Sequence, residues 1–221
     1  MARWRARRDP ANYRQAPDGS RWLAVPITRA IAREYYGAVA RLPRPELFAL
    51  CEALLDSGDD AERTIAFDWA YRRRRDLLPD DFERFDGWLE RYVADWGGCD
   101  DFCTHAFGCL LYSCPDLQPR TLSWTASPNR WRRRAAAVIL LYGLRRGTFL
   151  EEAFRIADAL LTDPDDMVQK GYGWLLKEAS NCNAGQVLAF VLARKDRMPR
   201  TALRYAIEKL PPEWHNEAMA Q

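Results

Sequence analysis

A chain of 221 residues, 48% of them hydrophobic, carries enough apolar content for one large domain or two small ones, which excludes disorder as its main state. Its 33 basic residues nearly balance its 31 acidic ones, so net charge selects no partner and the sign has to be read locally. Six cysteines are too few for a disulfide-stapled secreted domain of this length. The opening MARWRARRDP has charge where a signal peptide needs an apolar core of about 7–15 residues. No later apolar run approaches the roughly 18 residues of a membrane span, so a cytoplasmic protein without a membrane partner is expected.

Residues 1–20 carry Arg3, Arg5, Arg7, Arg8 and Arg14 and end in PDGS, with little apolar periodicity, and they read as a basic arm ahead of a single domain over 21–221. From about Trp22 the pattern changes to amphipathic stretches separated by Pro, Gly, Asp or Ser. Helices are expected over 26–41, 44–57, 60–77, 80–95, 96–113, 116–125, 128–146, 149–162, 164–181, 184–194 and 199–210, and no segment demands a strand. Ser127 before Pro128, and Asp163 before Pro164, offer a capping side chain followed by a ring already at helical φ, so they are expected as N-caps. Gly147 after Arg145 and Arg146 suits a helix stop.

Loops of about two to five residues make successive helices antiparallel neighbours. Nearly every stretch is half polar, and starts recur about every 16–20 residues, so a helix pair repeats about every 35–40. The expected fold is all-α, a HEAT-like helical-repeat superhelix (an α-α solenoid) with a concave basic cleft.

Charge is segregated along the chain. Residues 129–146 hold Arg130, Arg132, Arg133, Arg134, Arg145 and Arg146 and no acid, ahead of the apolar run AAAVILLYGL. Arg72–Arg75 form a second run, and Arg194, Lys195, Arg197, Arg200 and Arg204 a third. Guanidinium forks match phosphate oxygens, so the clusters suit a polyanion track, although arginines at helix ends also complement the dipole or stay solvated. Nine tryptophans exceed what packing needs; Trp4 lies in the arm, Trp22, Trp69, Trp88, Trp124 and Trp214 are assigned to packing, and Trp96, Trp131 and Trp174 sit beside charged residues at helical spacing.

In ADWGGCDDFC, Asp95 can cap a helix that begins at Trp96 and carries Asp100 one turn later. The i, i+4 spacing puts the ring and the carboxylate on one face, and an aromatic plane beside an anion is a receptor for a cation. A packed Trp with a surface Asp is the plainer reading, and Gly97 and Gly98 disfavour the helix.

Three blocks carry a resemblance that bears on this choice: WGGCDDFC; TLSWTASPNRWRRRAAAVILL, with Trp124, Ser127, Asn129, Trp131, Arg133 and Arg134; and DPDDMVQKGYGWLLKEAS, with Lys170, Trp174 and Glu178. In order and spacing they resemble the AlkD-type DNA alkylation repair proteins, and MPRTALRYAIEKL resembles the closing helix of that family, so the similarity spans roughly 22–210. The resemblance implies a HEAT-like superhelix cradling duplex DNA and a monofunctional glycosylase that releases cationic alkylated purines. It places the family's functional Asp on Asp100, its partner Trp on Trp96, its phosphate-facing Arg on Arg134 and its second cleft Trp on Trp174. Trp131, Arg133, Arg130, Lys170, Arg200 and Arg204 become the expected DNA contacts. Lys177 stands where the family usually has Arg and Ala24 where it has Gly, and Trp22 is a candidate for the aromatic at the N-terminal wall.

The chemistry agrees with that implication. A purine alkylated at N3 or N7 is already a good leaving group and needs no general acid. What it leaves behind is positive charge on the sugar, which a fixed carboxylate stabilises. Asp100 would supply that charge and orient the attacking water, Trp96 and Trp174 would flank the nucleotide, and Arg134 would clamp a phosphate. No cofactor is required, and the expected partner is double-stranded DNA carrying alkylated bases, bound by a monomer. Cys99, Cys103, Cys109, Cys114 and His105 have the wrong spacing for a zinc site and read as small buried groups. The rival function is a non-catalytic helical-repeat module that binds DNA or protein, which would need the arginines but not Asp100.

Overall fold

The structure, a computed structural model, describes residues 13–15 and 21–220. They divide into two compact units, with the division between Leu77 and Leu78. Most of the expected basic arm lies outside the described residues. The part within them, Tyr13–Gln15, is a short strand (β1) paired antiparallel with Arg21–Leu23 (β2). This ribbon corrects the expectation of no strand; segments of three residues are too short to display alternation.

The first unit continues with α1 (Val25–Val39), α2 (Arg44–Leu55) and α3 (Asp60–Arg72). Pro26 and Pro45 open the first two helices at positions where the missing N–H has no intrahelical partner. Asp59 caps the third by accepting from the amides of Ala61 and Glu62. Trp69, expected in the core, is buried and donates its indole N–H to the carbonyl of Ala32 at 2.9 Å. The arginine run that closes α3 serves its own unit. Arg72 pairs with buried Asp68, Arg73 Nη1 donates to the carbonyls of Ala40 and Leu42 at 3.0 Å each, and Arg74 lies over the Tyr71 ring.

The second unit begins with α4 (Asp81–Tyr92) and α5 (Trp96–Phe102), which passes through a π-turn at Cys103–Phe107 into α6 (Gly108–Ser113). The expected single helix over 96–113 is therefore continuous but widened at its centre. Thr104 Oγ1 and His105 Nδ1 reach back to the carbonyls of Asp100 and Asp101, at 2.7 and 2.8 Å, across that wide turn. A long 3-10 stretch, Pro115–Ala126, follows, with Pro119 inside it. Phe82, Phe85, Trp88, Phe102, Phe107 and Trp124 interlock with ring centroids 5.1–6.0 Å apart. Each fully buried ring contributes on the order of 2–3 kcal/mol by leaving water.

Next come α7 (Arg130–Val138), α8 (Leu141–Leu144), α9 (Leu150–Ala159), α10 (Asp166–Leu192), α11 (Arg200–Ile207) and α12 (Pro212–Met219). Two helix starts fall two residues beyond the expected caps, for one shared reason. Ser127 Oγ and Asp163 Oδ1 accept from the amides of Asn129 and Asp165 across the intervening proline. The caps themselves are Asn129, bonded to the amide of Trp131, and Asp165, bonded to those of Met167 and Val168. A residue before proline is pushed to extended backbone, so Ser127 and Asp163 form a turn that delivers the next polar residue as the cap. Gly147 terminates its helix at φ +80°, as its place after two arginines suggests. The helices expected over 164–181 and 184–194 are joined end to end in α10, with a break at Asn183 (φ −156°, ψ 92°) whose side chain accepts from the Gln186 amide.

Contacts between α7–α8 and α10 advance together along both: Arg133 meets Asp163, Arg134 the carbonyl of Met167, Leu144 the Cys182 thiol and Arg145 Glu178. The two runs are therefore parallel, and α9, which packs against both, returns the chain from one to the other. Parallel helices alternating with antiparallel partners are the packing of an α-α solenoid. No helix among the described residues is long and apolar enough to cross a membrane.

Candidate active site

Asp95 builds the site's first helix as its sequence predicts. Its carboxylate accepts from the Gly98 amide at 2.8 Å, its backbone is extended, and Trp96 is the first helical residue. That cap offsets the two glycines. Trp96 is 58% exposed, the most exposed tryptophan whose side chain is described, and Asp100 follows one turn later on the same face.

Across from it, on α7, Arg134 meets Asp100 fork to fork. Nε donates to Oδ1 at 2.9 Å and Nη2 to Oδ2 at 2.8 Å, while Nη1 donates to the carbonyl of Met167. The guanidinium side chain is 6% exposed and the carboxylate 18%, so the anion is the member of the pair nearer to solvent. Burial by itself would lower the Arg134 pKa, but hydrogen bonds and charge from Asp100 reverse this and the net shift is upward. The fork fixes both oxygens of Asp100 in a plane. Gly171 makes the approach feasible, because a Cβ there would lie 3.2 Å from Arg134 Cγ. Beside the pair are the free cysteines Cys99, whose thiol points at the carbonyl of Trp131, and Cys103, whose thiol pKa is pushed well up by burial and by a hydrogen bond with Cys99.

The remaining expected DNA contacts separate into two groups. Arg133 is half-buried and committed within the unit: Nε donates to Asp163 at 2.7 Å and Nη1 to the carbonyl of Ser127 at 2.9 Å. Arg132 is likewise taken up by Asp86 and Glu90. Arg134 itself has its fork occupied by Asp100 and its remaining nitrogen by Met167, so the structure brings it to the carboxylate rather than to an open phosphate position. Arg130 is about half exposed, stacks over the half-buried Trp131 ring at 4.4 Å and pairs with Asp165 at 3.2 Å. Lys170 pairs with Asp166 at 2.8 Å, one turn before Trp174 on α10. Arg200 and Arg204 are exposed on α11. Trp174 is half-buried, and its indole N–H points to Glu178. Trp22 belongs to β2 by its backbone, and its side chain lies outside the described residues.

Sequence reasoning did not single out Gly171, Thr104, the Met167 carbonyl or Asp165, and it read Asp163 as a helix cap rather than as the partner of Arg133. The signal for Gly171 was present: two glycines in GYG inside a helix cost stability and so demand a close approach by something. Among the described residues no three His, Cys, Asp or Glu side chains converge as metal ligands.

The profile of the family described as DNA alkylation repair enzyme matches residues 11–210. A comparison with curated proteins finds no match. Among solved structures, one described as a predicted DNA alkylation repair enzyme from Enterococcus faecalis superposes with a TM-score of 0.76, covering 86% of this chain and 90% of that one at 18% identity. At that identity the likeness establishes the all-helical fold, and the profile establishes descent. With nearly the whole sequence matched, the chain belongs to the DNA alkylation repair enzyme family, and its role is the repair of alkylated DNA.

Proposed function

We propose that this protein is a monofunctional DNA glycosylase that releases cationic N3- or N7-alkylated purines from duplex DNA, acting as a monomer in the cytoplasm. The observation that carries the reading is the Asp100 carboxylate, fixed in a fork by buried Arg134 and sharing a helix face with exposed Trp96. A module that only binds phosphates gains nothing from holding an anion at its surface. An enzyme that must stabilise a sugar cation does.

In this mechanism the bond between the anomeric carbon and the purine nitrogen breaks with its electron pair leaving on the base, which neutralises the alkylpurine. Positive charge moves to the sugar beside Asp100. Water then bonds to the anomeric carbon, and Asp100 accepts its hydrogen bond and passes the proton to solvent. Arg134 holds the carboxylate in plane throughout. Trp96 and Trp174 flank the nucleotide, and Trp131, half-buried Lys170 and the exposed cations Arg130, Arg200 and Arg204 supply the backbone contacts, which position the substrate without reading sequence. No metal or organic cofactor takes part.

The test is direct. The purified protein, treated with chelator, is incubated with duplex DNA containing 3-methyladenine or 7-methylguanine, and free base and alkali-labile abasic sites are measured. Release of base with an uncut backbone is expected. Intact DNA binding with no release of either base would refute the glycosylase and favour the binding module.

A further inference from the structure

Glu178 is a buried carboxylate that the mechanism above does not use. It lies one turn after Trp174 on α10, so the two side chains share a face. Its Oε1 accepts from the Trp174 indole N–H at 3.3 Å and from Lys209 Nζ at 3.3 Å. Its Oε2 accepts from Asn181 Nδ2 at 3.1 Å, and Arg145 Nε lies 3.8 Å away. The Arg145 guanidinium also sits over the Trp174 ring, 5.6 Å from its centroid. Two cations from distant parts of the chain thus converge on one acid, and both the acid and one of the cations touch the same indole.

Packing alone does not call for this arrangement. A buried ion pair is commonly matched or bettered in stability by apolar side chains of similar volume. What a carboxylate provides here, and a leucine would not, is an acceptor for the indole N–H. An indole can turn over about its Cβ–Cγ bond, which moves the nitrogen to the other side of the ring. The bond to Oε1 selects one of these orientations, and Arg145 lies over one face of the ring.

We infer that Glu178 is the positioning residue for Trp174, holding the indole in one orientation for the lesion nucleotide through a carboxylate that Lys209, Asn181 and Arg145 fix in turn. Only the catalytic consequence rests on the glycosylase reading; the orientation of the indole does not. A ring displaced by about 1 Å near the reacting centre is expected to slow the chemical step roughly 10- to 100-fold while leaving substrate affinity little changed.

The test uses the full chain labelled with 5-fluorotryptophan. The Trp174 resonance is assigned as the one lost in Trp174→Phe, and single-turnover base release is measured in parallel. In Glu178→Leu the Trp174 resonance should shift or split while those of Trp88 and Trp124 stay in place, and base release should slow by the factor above with DNA affinity within about threefold. Glu178→Gln, which keeps an oxygen acceptor, should restore a single resonance and most of the rate. An unmoved Trp174 resonance in a folded Glu178→Leu overturns the proposal, as does a full rate of release in that variant when Trp174→Ala is slow. Should Glu178→Leu not fold, solvent exchange of the Trp174 indole N–H in the wild type decides: exchange as fast as that of exposed Trp96 overturns the proposal, and slower exchange is expected. If the wild type releases no base, the glycosylase reading fails while the resonance still decides the role of Glu178.

Discussion

Replacing Asp100 by Asn keeps the size of the side chain and removes its charge, and the fork with Arg134 determines how much should be lost. With the developing sugar cation about 4.5 Å from the carboxylate, and an effective dielectric constant of about 20, the attraction is about 3.7 kcal/mol. Arg134 lies behind the carboxylate, about 8.5 Å from the same point, and its repulsion is about 2.0 kcal/mol. The wild-type pair therefore stabilises the cation by a net of about 1.7 kcal/mol. Asp100→Asn deletes the attraction and leaves the repulsion, so release should slow by about 3.7 kcal/mol, roughly 500-fold. Asp100→Asn together with Arg134→Met deletes both charges and should slow release only about 20-fold, making the double variant faster than the single one. Stability should follow the same order. The single variant leaves a buried guanidinium facing an amide N–H and loses about 2 kcal/mol, whereas the double variant removes the unpaired charge and recovers most of that. The assay is single-turnover release of 7-methylguanine from a duplex, with thermal unfolding followed by circular dichroism on the same preparations. A double variant as slow as Asp100→Asn would refute the electrostatic reasoning, and an Asp100→Asn enzyme at the wild-type rate would remove Asp100 from the mechanism.

Three further outcomes are expected. If Arg130, Lys170, Arg200 and Arg204 each neutralise one phosphate, log affinity against log salt should have a slope of about −3.6, a loss of roughly 150-fold between about 50 and 200 mM; a flat dependence would exclude them as the track. Gly108→Ala places a Cβ 2.3 Å from the Cys103 carbonyl oxygen in the π-turn and 3.0 Å from that of Ile139, so it should destabilise by roughly 3 kcal/mol or more, and an unchanged melting temperature would contradict the packing of α6 on α8. Native protein treated with maleimide near pH 8 should be modified at exposed Cys182 while Cys99 and Cys103 stay protected, because burial both covers the Cys103 thiol and pushes its pKa up; peptide mapping that finds Cys103 labelled without unfolding would refute this.

Much of the helical order was legible in the sequence, because the information is local. Periodicity within about 15 residues reports which face of a helix is apolar. Asp95 lies three residues from the amide it caps, and Trp96 and Asp100 share a face at any four-residue spacing in a helix. Trp88 and Trp124 proved to be core as composition suggested. The three-residue strands, the closing helix α12 and the exchange of caps at Ser127 and Asp163 were less legible. Each depends on a segment too short for periodicity, or on a proline that shifts a boundary by two residues.

What only the tertiary structure decided was the use made of the charges. RWRRR is one block of similar residues in the sequence, but its members are directed to different ends by partners about 30 to 46 positions away: Arg132 to Asp86, Arg133 to Asp163 and Arg134 to Asp100. Nothing local distinguishes them, because each guanidinium would satisfy itself equally well in water or on a phosphate. The same holds for Glu178, which in the sequence is one more acid after a lysine and in the fold gathers Arg145, Lys209 and an indole N–H. Helix formation follows from neighbours along the chain, whereas the desolvation that makes a carboxylate seek a particular cation arises only once distant helices have packed together.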